Sequence, residues 1–285
     1  MTAESLHVFC SHGPARHRIH ILKWGESSPH KNLNDVPVFC VHALTRIAED
    51  FEAVAQSFSP RPVYAAEMIG RGGSPWLLDA ALYTYPHYVD DCVQALDALN
   101  LKEVDWLGTS MGGLIGMIIA ANHPKRIRRL ILNDVGPFLP FAALQRIGGY
   151  LGQIQRFSDL EQAYRYCRTV YVGFGLKTEE TWREFTRRSL RQNKDGSWRL
   201  HYDPRIADAF KQVRGDVDLW PVYDQVRCPT LVLRGAMSDV LLEKDAQRMT
   251  ETGPRARVIT FEGCGHAPAL VEEEQIKAVK EFLES

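Results

Sequence analysis

The chain has 285 residues, of which 45% are hydrophobic, and this length is sufficient for one large domain with a deep core. Its 34 lysines and arginines nearly balance its 35 aspartates and glutamates, so no overall charge favours nucleic acid or an anionic membrane. We find no signal-peptide pattern and no apolar run of about 18 residues, and therefore expect a cytoplasmic protein without membrane or nucleic-acid partners.

Two segments of alternating polarity come first, at residues 6–10 and 17–24. They flank the turn signal His12-Gly13-Pro14, so we predict an antiparallel hairpin at the edge of a sheet. The six cysteines of the chain form no C-x-x-C pair, and we expect reduced thiols rather than disulfides or zinc ligands. Histidines of the hairpin are expected on solvent-facing strand positions, not in a metal site; they are His7, His12, His17 and His20.

Apolar runs typical of buried strands then alternate with helix-like segments. Strands are predicted at 36–41, 62–66, 104–107 and 127–132, and helices at 49–57, 85–99 and 114–121. This alternation implies right-handed crossovers and a mostly parallel sheet. The glycine-rich loop 68–76 lacks the ending of a phosphate-binding P-loop. We therefore expect it to shape a pocket wall, with Trp76 as a candidate substrate contact.

The segment Gly108-Thr109-Ser110-Met111-Gly112-Gly113 separates an apolar strand-like run from an apolar helix-like run. A sharp strand-to-helix turn holds its central residue at positive φ, where side chains two residues before and after it would collide. Gly108 and Gly112 avoid that collision. The helix that follows aims free N–H groups and its positive dipole end at Ser110. The pattern therefore predicts a nucleophilic serine beside a site for a developing oxyanion.

The alternation stops after residue 137. Residues 138–226 have a helical pattern with turn signals and no buried strand, which predicts a helical cap inserted into a core of residues 1–137 and 227–285. Acidic residues are interleaved with the arginines of this insertion, so the arginines are not expected to bind nucleic acid. Beyond it, strands are predicted at 230–233 and 257–261, and helices at 242–251 and 271–283.

A serine is inert unless a base takes its proton and an acid orients that base. His266 lies in Gly263-Cys264-Gly265-His266-Ala267-Pro268, directly after the last predicted strand. Asp239 follows the strand before that one, and Asp134 follows the strand that precedes the insertion. Functional groups of open α/β sheets gather at the carboxyl ends of strands, so all of these residues are candidates. Asp239 is our first choice for the acid and Asp134 the alternative.

These motifs resemble the α/β-hydrolase fold family, of the esterase and lipase type, over nearly the whole chain. The resemblance rests on His42-Ala43-Leu44, Gly-Arg-Gly-Gly-Ser at 70–74, the serine turn and Gly-x-Gly-His-x-Pro at 263–268. The chain order Ser110, Asp239, His266 is the order of that family's triad. The resemblance implies an α/β fold with a mostly parallel central sheet flanked by helices, and an inserted helical cap.

The same resemblance implies roles for the loop after the first buried strand. The backbone N–H groups of Leu44 and Met111 would form the oxyanion hole, and His42 would hold the loop in place. Arg46, beside this loop, is a candidate contact for a carboxylate-bearing substrate, with a surface salt bridge as the alternative. The family's acid often falls three residues after the glycine of its strand-end turn, a position that Ser238 occupies here.

The predicted function is that of a serine hydrolase acting on carboxylic esters of small or medium acyl groups, with no cofactor or metal. The expected partner is a small-molecule ester, and the sequence indicates no oligomeric state. Relatives that are dehalogenases or epoxide hydrolases carry aspartate at the position of Ser110. Lactones, thioesters, hydroxyalkanoate oligomers and carbon–carbon bonds are alternative substrates for the same machinery. An alternative from another functional class is a protein of the same fold that binds a small molecule with little turnover.

Overall fold

The alternation predicted for the first half of the chain is present in the structure, a computed structural model that describes residues 2–13, 15–26 and 36–285. Each predicted strand or helix is found within a few residues of its expected position. The elements are β1 (Glu4–His12), β2 (Ala15–Trp24), β3 (Val38–Val41), α1 (Glu52–Ser57), β4 (Val63–Glu67), α2 (Tyr85–Ala98), β5 (Val104–Thr109), α3 (Met111–Asn122) and β6 (Ile127–Asn133). A short 3₁₀ helix, Ala48–Phe51, precedes α1.

The insertion follows, and then the alternation resumes. The insertion contains β7 (Phe138–Leu139), α4 (Phe141–Tyr150), α5 (Leu160–Val170), α6 (Glu179–Arg188), β8 (Leu190–Gln192), β9 (Trp198–Leu200), the 3₁₀ helix Pro204–Gln212, β10 (Val217–Asp218) and α7 (Trp220–Tyr223). The last elements are β11 (Thr230–Gly235), α8 (Glu243–Met249), β12 (Arg257–Phe261) and α9 (Glu273–Glu284). Within the described part of the chain, every helix is too short or too polar to cross a membrane.

Eight strands form one sheet in the spatial order β1-β2-β4-β3-β5-β6-β11-β12. The last six strands in this order, which are β4, β3, β5, β6, β11 and β12, run parallel to one another. Strand β2 is antiparallel to both β1 and β4. This arrangement confirms the predicted α/β class, the mostly parallel sheet and the hairpin at its edge. Pro14, in the predicted turn of the hairpin, lies outside the described residues.

Helices cover both faces of the sheet, and so the central strands are apolar along their whole length. All six residues of β5 are buried. Successive side chains of a strand point to opposite faces. Trp106 and Leu130 accordingly belong to one hydrophobic cluster, while their neighbours Leu107 and Ile131 belong to another. Burial on both faces explains the continuous apolar runs that predicted these strands.

The sequence predicted a helical insertion, but the structure contains strands there as well as helices. Its three main helices are accompanied by a hairpin of β8 and β9 and by a pairing of β7 with β10. These strands have only two or three residues each, which is too short for alternating polarity to reveal them. The division of the chain into a core and a separate cap stays a prediction.

Candidate active site

Ser110 lies in the turn between β5 and α3 with φ of 51° and ψ of −110°. Such a turn leaves no room for side chains on the neighbouring glycines. A Cβ atom on Gly108 would lie 2.2 Å from the carbonyl of Gly112, and a Cβ atom on Gly112 would lie 1.9 Å from the carbonyl oxygen of Val41. The two glycines of the motif are therefore required by the close approach of the chain to itself.

Three side chains from three strand ends form a continuous chain of hydrogen bonds. Ser110 Oγ lies 2.8 Å from His266 Nε2, and His266 Nδ1 lies 2.7 Å from Asp134 Oδ2. Ser110 follows β5, Asp134 follows β6 and His266 follows β12. The carboxyl ends of these parallel strands share one edge of the sheet, which brings residues distant in sequence together. Ser110 and His266 are thus where the sequence predicted them.

Asp239 does not contact His266, so its prediction as the orienting acid is wrong. Its carboxylate accepts two hydrogen bonds from the guanidinium of Arg146, at 2.5 and 2.8 Å. In the turn after β11, it is Ser238, the residue before Asp239, whose side chain faces the sheet edge. Ser238 Oγ donates to Asp134 Oδ2 at 2.6 Å, while the next side chain along points to the surface. Asp134, the alternative acid, occupies the position beside the imidazole.

The Asp134 carboxylate is completely buried and is held by several donors. The backbone N–H of Gly235 donates to its Oδ1 at 2.8 Å. Its Oδ2 receives the hydroxyl of Ser238 and faces the imidazole of His266. The hydroxyl of Ser238 in turn accepts from the N–H of Leu241 at 3.1 Å, which fixes its direction. A buried polar group needs such partners, because burying it without hydrogen bonds is costly. The sequence identifies Ser238 only as the position where the family often has its acid.

The loop that carries His266 is fixed from two sides. The side chain of Asn133 donates to the carbonyl of Pro268 at 2.9 Å. From the insertion, the carbonyl of Gly173 accepts the N–H of Gly265 at 2.7 Å. A Cβ atom on Gly173 would lie 3.0 Å from the carbonyl oxygen of His266, so glycine suits this close approach. The insertion therefore contacts the backbone of the loop that carries the imidazole.

The two predicted oxyanion-hole residues, Leu44 and Met111, line one cavity together with Ser110 and His266. Met111 is the first residue of α3, so its N–H has no carbonyl acceptor within the helix. Arg71 is completely buried and joins the two segments. Its Nε donates to the carbonyl of Leu44 at 2.9 Å, and its Nη2 lies 3.7 Å from Met111 Sδ. This role of Arg71 was not predicted from the sequence, although the residue lies within the 70–74 motif.

His42 is also buried beside this loop. Its Nδ1 donates to the carbonyl of Ala43 at 2.7 Å, and its Nε2 accepts the N–H of Met68 at 3.1 Å. Burial lowers the pKa of His42 to about 4. The imidazole is therefore neutral near pH 7, and one of its nitrogens is free of a proton and can accept. This arrangement matches the structural role expected for His42.

Arg46 lines the cavity but is not free to bind a substrate, contrary to its prediction as a contact. It is 1% exposed, and its Nε and Nη2 donate to the carboxylate of Asp50 at 2.7 and 2.6 Å. Its Nη1 donates to Ser189, and its guanidinium lies 3.7 Å from the ring centre of Phe185. Breaking a buried ion pair by removing one partner costs about 3–5 kcal/mol. Arg46 therefore anchors the insertion to the loop.

Trp76, the other predicted substrate contact, lies away from Ser110. It is 40% exposed, and the guanidinium of Arg199 lies 4.4 Å from its ring centre. Both residues border a groove on the outer surface. The prediction that Trp76 contacts substrate is thus not supported by its position.

The cavity at Ser110 is narrow, with a volume of about 60 Å³. Drug-sized ligands occupy pockets of about 300–1,000 Å³, so the cavity as observed is too small for a substrate of comparable size. Wider hollows on the outer surface contain none of the three hydrogen-bonded residues. The side chains that the insertion contributes to the cavity are mostly apolar: Leu139, Leu144, Ile147, Val170, Tyr171, Phe174 and Phe210, with Arg146 and Tyr150.

A second cluster of polar side chains lies at the far edge of the sheet, under α2. His12 Nε2 and His17 Nε2 each lie 2.8 Å from Asp91 Oδ1, and Cys10 Sγ is also close enough to share a metal ion with His17 and Asp91. The expected solvent-facing position is wrong for His17, which is 8% exposed because α2 packs across the hairpin. The absence of a metal stays a prediction. Since β1 lies four strands from β5, this cluster contributes nothing to chemistry at Ser110.

Comparisons with known proteins extend over almost the whole chain. A family model described as the alpha/beta hydrolase fold matches residues 36–273. A 3-hydroxybutyrate-oligomer hydrolase from Cupriavidus necator is 39% identical, and the alignment covers 97% of this chain and 96% of that protein. Esterase YbfF from Escherichia coli is 24% identical, with 88% and 94% covered. The solved structure of an alpha/beta hydrolase from Novosphingobium aromaticivorans is 32% identical, with a TM-score of 0.88 and coverage of 100% and 99%.

Proposed function

Because the chain belongs to the alpha/beta hydrolase fold family, we propose that it is a serine hydrolase that cleaves carboxylic esters of small or medium acyl groups. The observation that carries this proposal is the chain of hydrogen bonds from Ser110 through His266 to Asp134, at the base of a covered apolar cavity. A nucleophile, a base and an orienting acid are the three groups that acyl transfer by serine requires.

In the first half of the reaction, Ser110 Oγ attacks the ester carbonyl and its proton passes to His266 Nε2. The carbonyl oxygen becomes an oxyanion, which the N–H groups of Leu44 and Met111 stabilise. A donor of this kind contributes roughly 3–4 kcal/mol to the transition state in comparable sites. His266 then gives the proton to the leaving alkoxide, and the acyl group stays on the serine.

In the second half, His266 takes a proton from a water molecule, which attacks the acyl-enzyme. The tetrahedral species collapses, the carboxylic acid leaves, and the proton returns to the serine oxygen. Asp134 accepts a hydrogen bond from His266 Nδ1 throughout. This bond fixes the imidazole tautomer and stabilises the imidazolium that forms in each half.

We propose short oligomers of 3-hydroxybutyrate, or of a similar small hydroxy acid, as the substrate class. The support for this step is the relative from Cupriavidus necator, which bears that activity in its name and is 39% identical over nearly the full length of both chains. The units of such an oligomer are short and carry a methyl group. The apolar side chains of the insertion around Ser110 suit them.

The test compares the wild type with Ser110→Ala on p-nitrophenyl butyrate and on the dimer of 3-hydroxybutyrate. Ser158→Ala, an exposed serine of the insertion, is the matched control. We expect Ser110→Ala to lose activity on both substrates by at least about a thousandfold, and the control to keep it. Equal rates in wild type and Ser110→Ala would refute the assignment. Tight binding of the dimer by a wild type that does not cleave it would instead favour the small-molecule-binding protein.

A further inference from the structure

Two arginines, Arg46 and Arg146, line the cavity around Ser110, and no aspartate or glutamate is among the described residues that line it. The cavity therefore favours a negatively charged group on a ligand, provided that one of these cations can be reached. Arg46 is excluded, because it is completely buried and each of its three guanidinium nitrogens already donates a hydrogen bond to Asp50 or Ser189.

Arg146 differs from Arg46 in its exposure and in the position of its partner. Its side chain is 45% exposed, and that of Asp239 is 46% exposed, so their ion pair lies at the mouth of the cavity. Solvent-exposed ion pairs contribute little to stability, so this pair separates at little cost. The hydroxyl of Tyr150, one helical turn further along α4, interacts with the same guanidinium and also lines the cavity.

We propose that Arg146, together with the hydroxyl of Tyr150, binds the terminal carboxylate of the substrate, which displaces the carboxylate of Asp239. The inference rests on the proposed function, since it concerns the substrate of the same site. The planar guanidinium presents a pair of parallel N–H donors, which match any carboxylate equally well. Asp239 already uses both donors, at 2.5 and 2.8 Å, and thus shows that the geometry is suitable.

This exchange also changes how the insertion contacts the sheet. Arg146 belongs to α4 of the insertion, whereas Asp239 belongs to the loop after β11 in the sheet. Their ion pair therefore ties the insertion to the sheet directly above the site. A substrate carboxylate that takes the place of Asp239 removes this contact between the insertion and the sheet as it binds, whereas a neutral ester leaves the contact in place.

The position of the charge also sets the direction in which an oligomer binds. In an oligomer of 3-hydroxybutyrate, the single free carboxylate belongs to the unit whose hydroxyl is esterified in the last ester bond. A carboxylate held at Arg146 therefore presents that last bond to Ser110. The leaving alcohol is then one monomer, so a trimer would lose the unit at its carboxyl end first.

The experiment compares kcat/KM for cleavage of the internal ester bond in the free-acid dimer and in its methyl ester, where a methoxy group replaces the terminal charge; release of the second monomer unit reports the internal bond alone. In Arg146→Gln we expect the ratio of acid to methyl ester to fall about 10- to 100-fold, which is the usual effect of losing a charge-assisted hydrogen-bonded pair. Arg146→Lys, which keeps the charge but not the planar pair of donors, should give an intermediate ratio. Arg156→Gln removes a comparably exposed ion pair with Asp195 and should leave the ratio unchanged.

Binding provides a readout that does not depend on turnover. In the Ser110→Ala background, calorimetry should show that the free-acid dimer binds more tightly than its methyl ester, and that adding Arg146→Gln abolishes the difference. A ratio that Arg146→Gln leaves unchanged, or no preference for the acid in Ser110→Ala, would overturn the inference. Activity that survives Ser110→Ala would refute the proposed function instead, so the two failures are distinguishable.

Discussion

Asp134 and His266, 132 residues apart in the sequence, meet at 2.7 Å between Oδ2 and Nδ1. The strand that Asp134 follows, β6, lies directly between the strand of the serine and β11. The carboxylate beside the imidazole thus comes from the strand next to the one that precedes Ser110. The more distant position after β11, where the family often has its acid, supplies only the hydroxyl of Ser238.

The first prediction separates the two candidate acids. Asp134→Asn should lower kcat/KM for p-nitrophenyl butyrate by about a thousandfold or more, because the amide no longer holds the imidazole in the required tautomer. Asp239→Asn should change it less than about threefold, since the neutral ester has no charge to compete for Arg146. Circular dichroism checks that both variants are folded. Similar losses in the two variants would contradict the assignment of Asp134.

A second prediction concerns Ser238 as a positioning residue. Ser238→Ala removes one hydrogen bond to Asp134 and should lower kcat by about tenfold with little change in KM, since substrate does not contact this hydroxyl. In the Asp134→Asn background, Ser238→Asp should recover at least tenfold of the lost activity, because it places a carboxylate where the family often has one. No recovery in a folded double variant would show that the imidazole cannot use an acid from this side.

A third prediction concerns the close packing of the serine turn. Gly112→Ala should prevent folding or lower the free energy of unfolding by at least about 3 kcal/mol, because its Cβ would lie 1.9 Å from the carbonyl oxygen of Val41. Gly149→Ala, in α4, is the matched control, since nothing lies within 4 Å of its Cβ. It should raise stability by about 0.5–1 kcal/mol through helix propensity. Urea unfolding measures both effects, and a Gly112→Ala protein as stable as wild type would be inconsistent with the close approach of Gly112 to Val41.

A fourth prediction follows from the pKa of His42, which burial lowers from 6.5 to about 4 in the folded protein. As the pH falls, the unfolded chain takes up this proton first. His42 therefore reduces stability progressively between pH 6.5 and pH 4, and not above that range. The free energy of unfolding falls by about 1.4 kcal/mol per pH unit in this range, so the total decrease approaches 3 kcal/mol near pH 4.

The measurement is urea unfolding of wild type and His42→Gln at pH 7, 5.5 and 4.5. The variant should be less stable at pH 7, because its loop is held less well, but should lose about 2–3 kcal/mol less than wild type on acidification. Other buried groups, such as His201, titrate in both proteins and cancel. Identical pH dependence in the two proteins would show that His42 is not kept neutral by burial.

The fold could be predicted because its strands are buried on both faces. The run at 257–261 matches β12 residue for residue, and the strand before the serine extends only two residues beyond its predicted end. The short strands of the insertion could not be predicted in this way. Leu190–Gln192 pairs with Trp198–Leu200 through tertiary contacts, and three residues carry too little periodicity to distinguish a strand from a loop.

The candidate site was predictable where the local chain geometry determines the residue. Ser110 is defined by the glycines around it, and His266 by a motif at a strand end. The acid could not be predicted in this way, because Asp134 and Asp239 both follow strands at the same edge of the sheet. Which one faces the imidazole depends on a difference of one residue in the turn after β11. The role of Arg71 is likewise a matter of tertiary contacts.

The hydrogen bond between Gly173 and Gly265 limits how this protein can be re-engineered. Exchanging the insertion between relatives is an obvious route to a new substrate range. Here the transplanted segment would also have to supply a carbonyl at the position of Gly173 and leave space for the backbone of His266. A chimera without these features would acquire a new pocket and lose the alignment of its base, so specificity and rate cannot be transferred as independent modules.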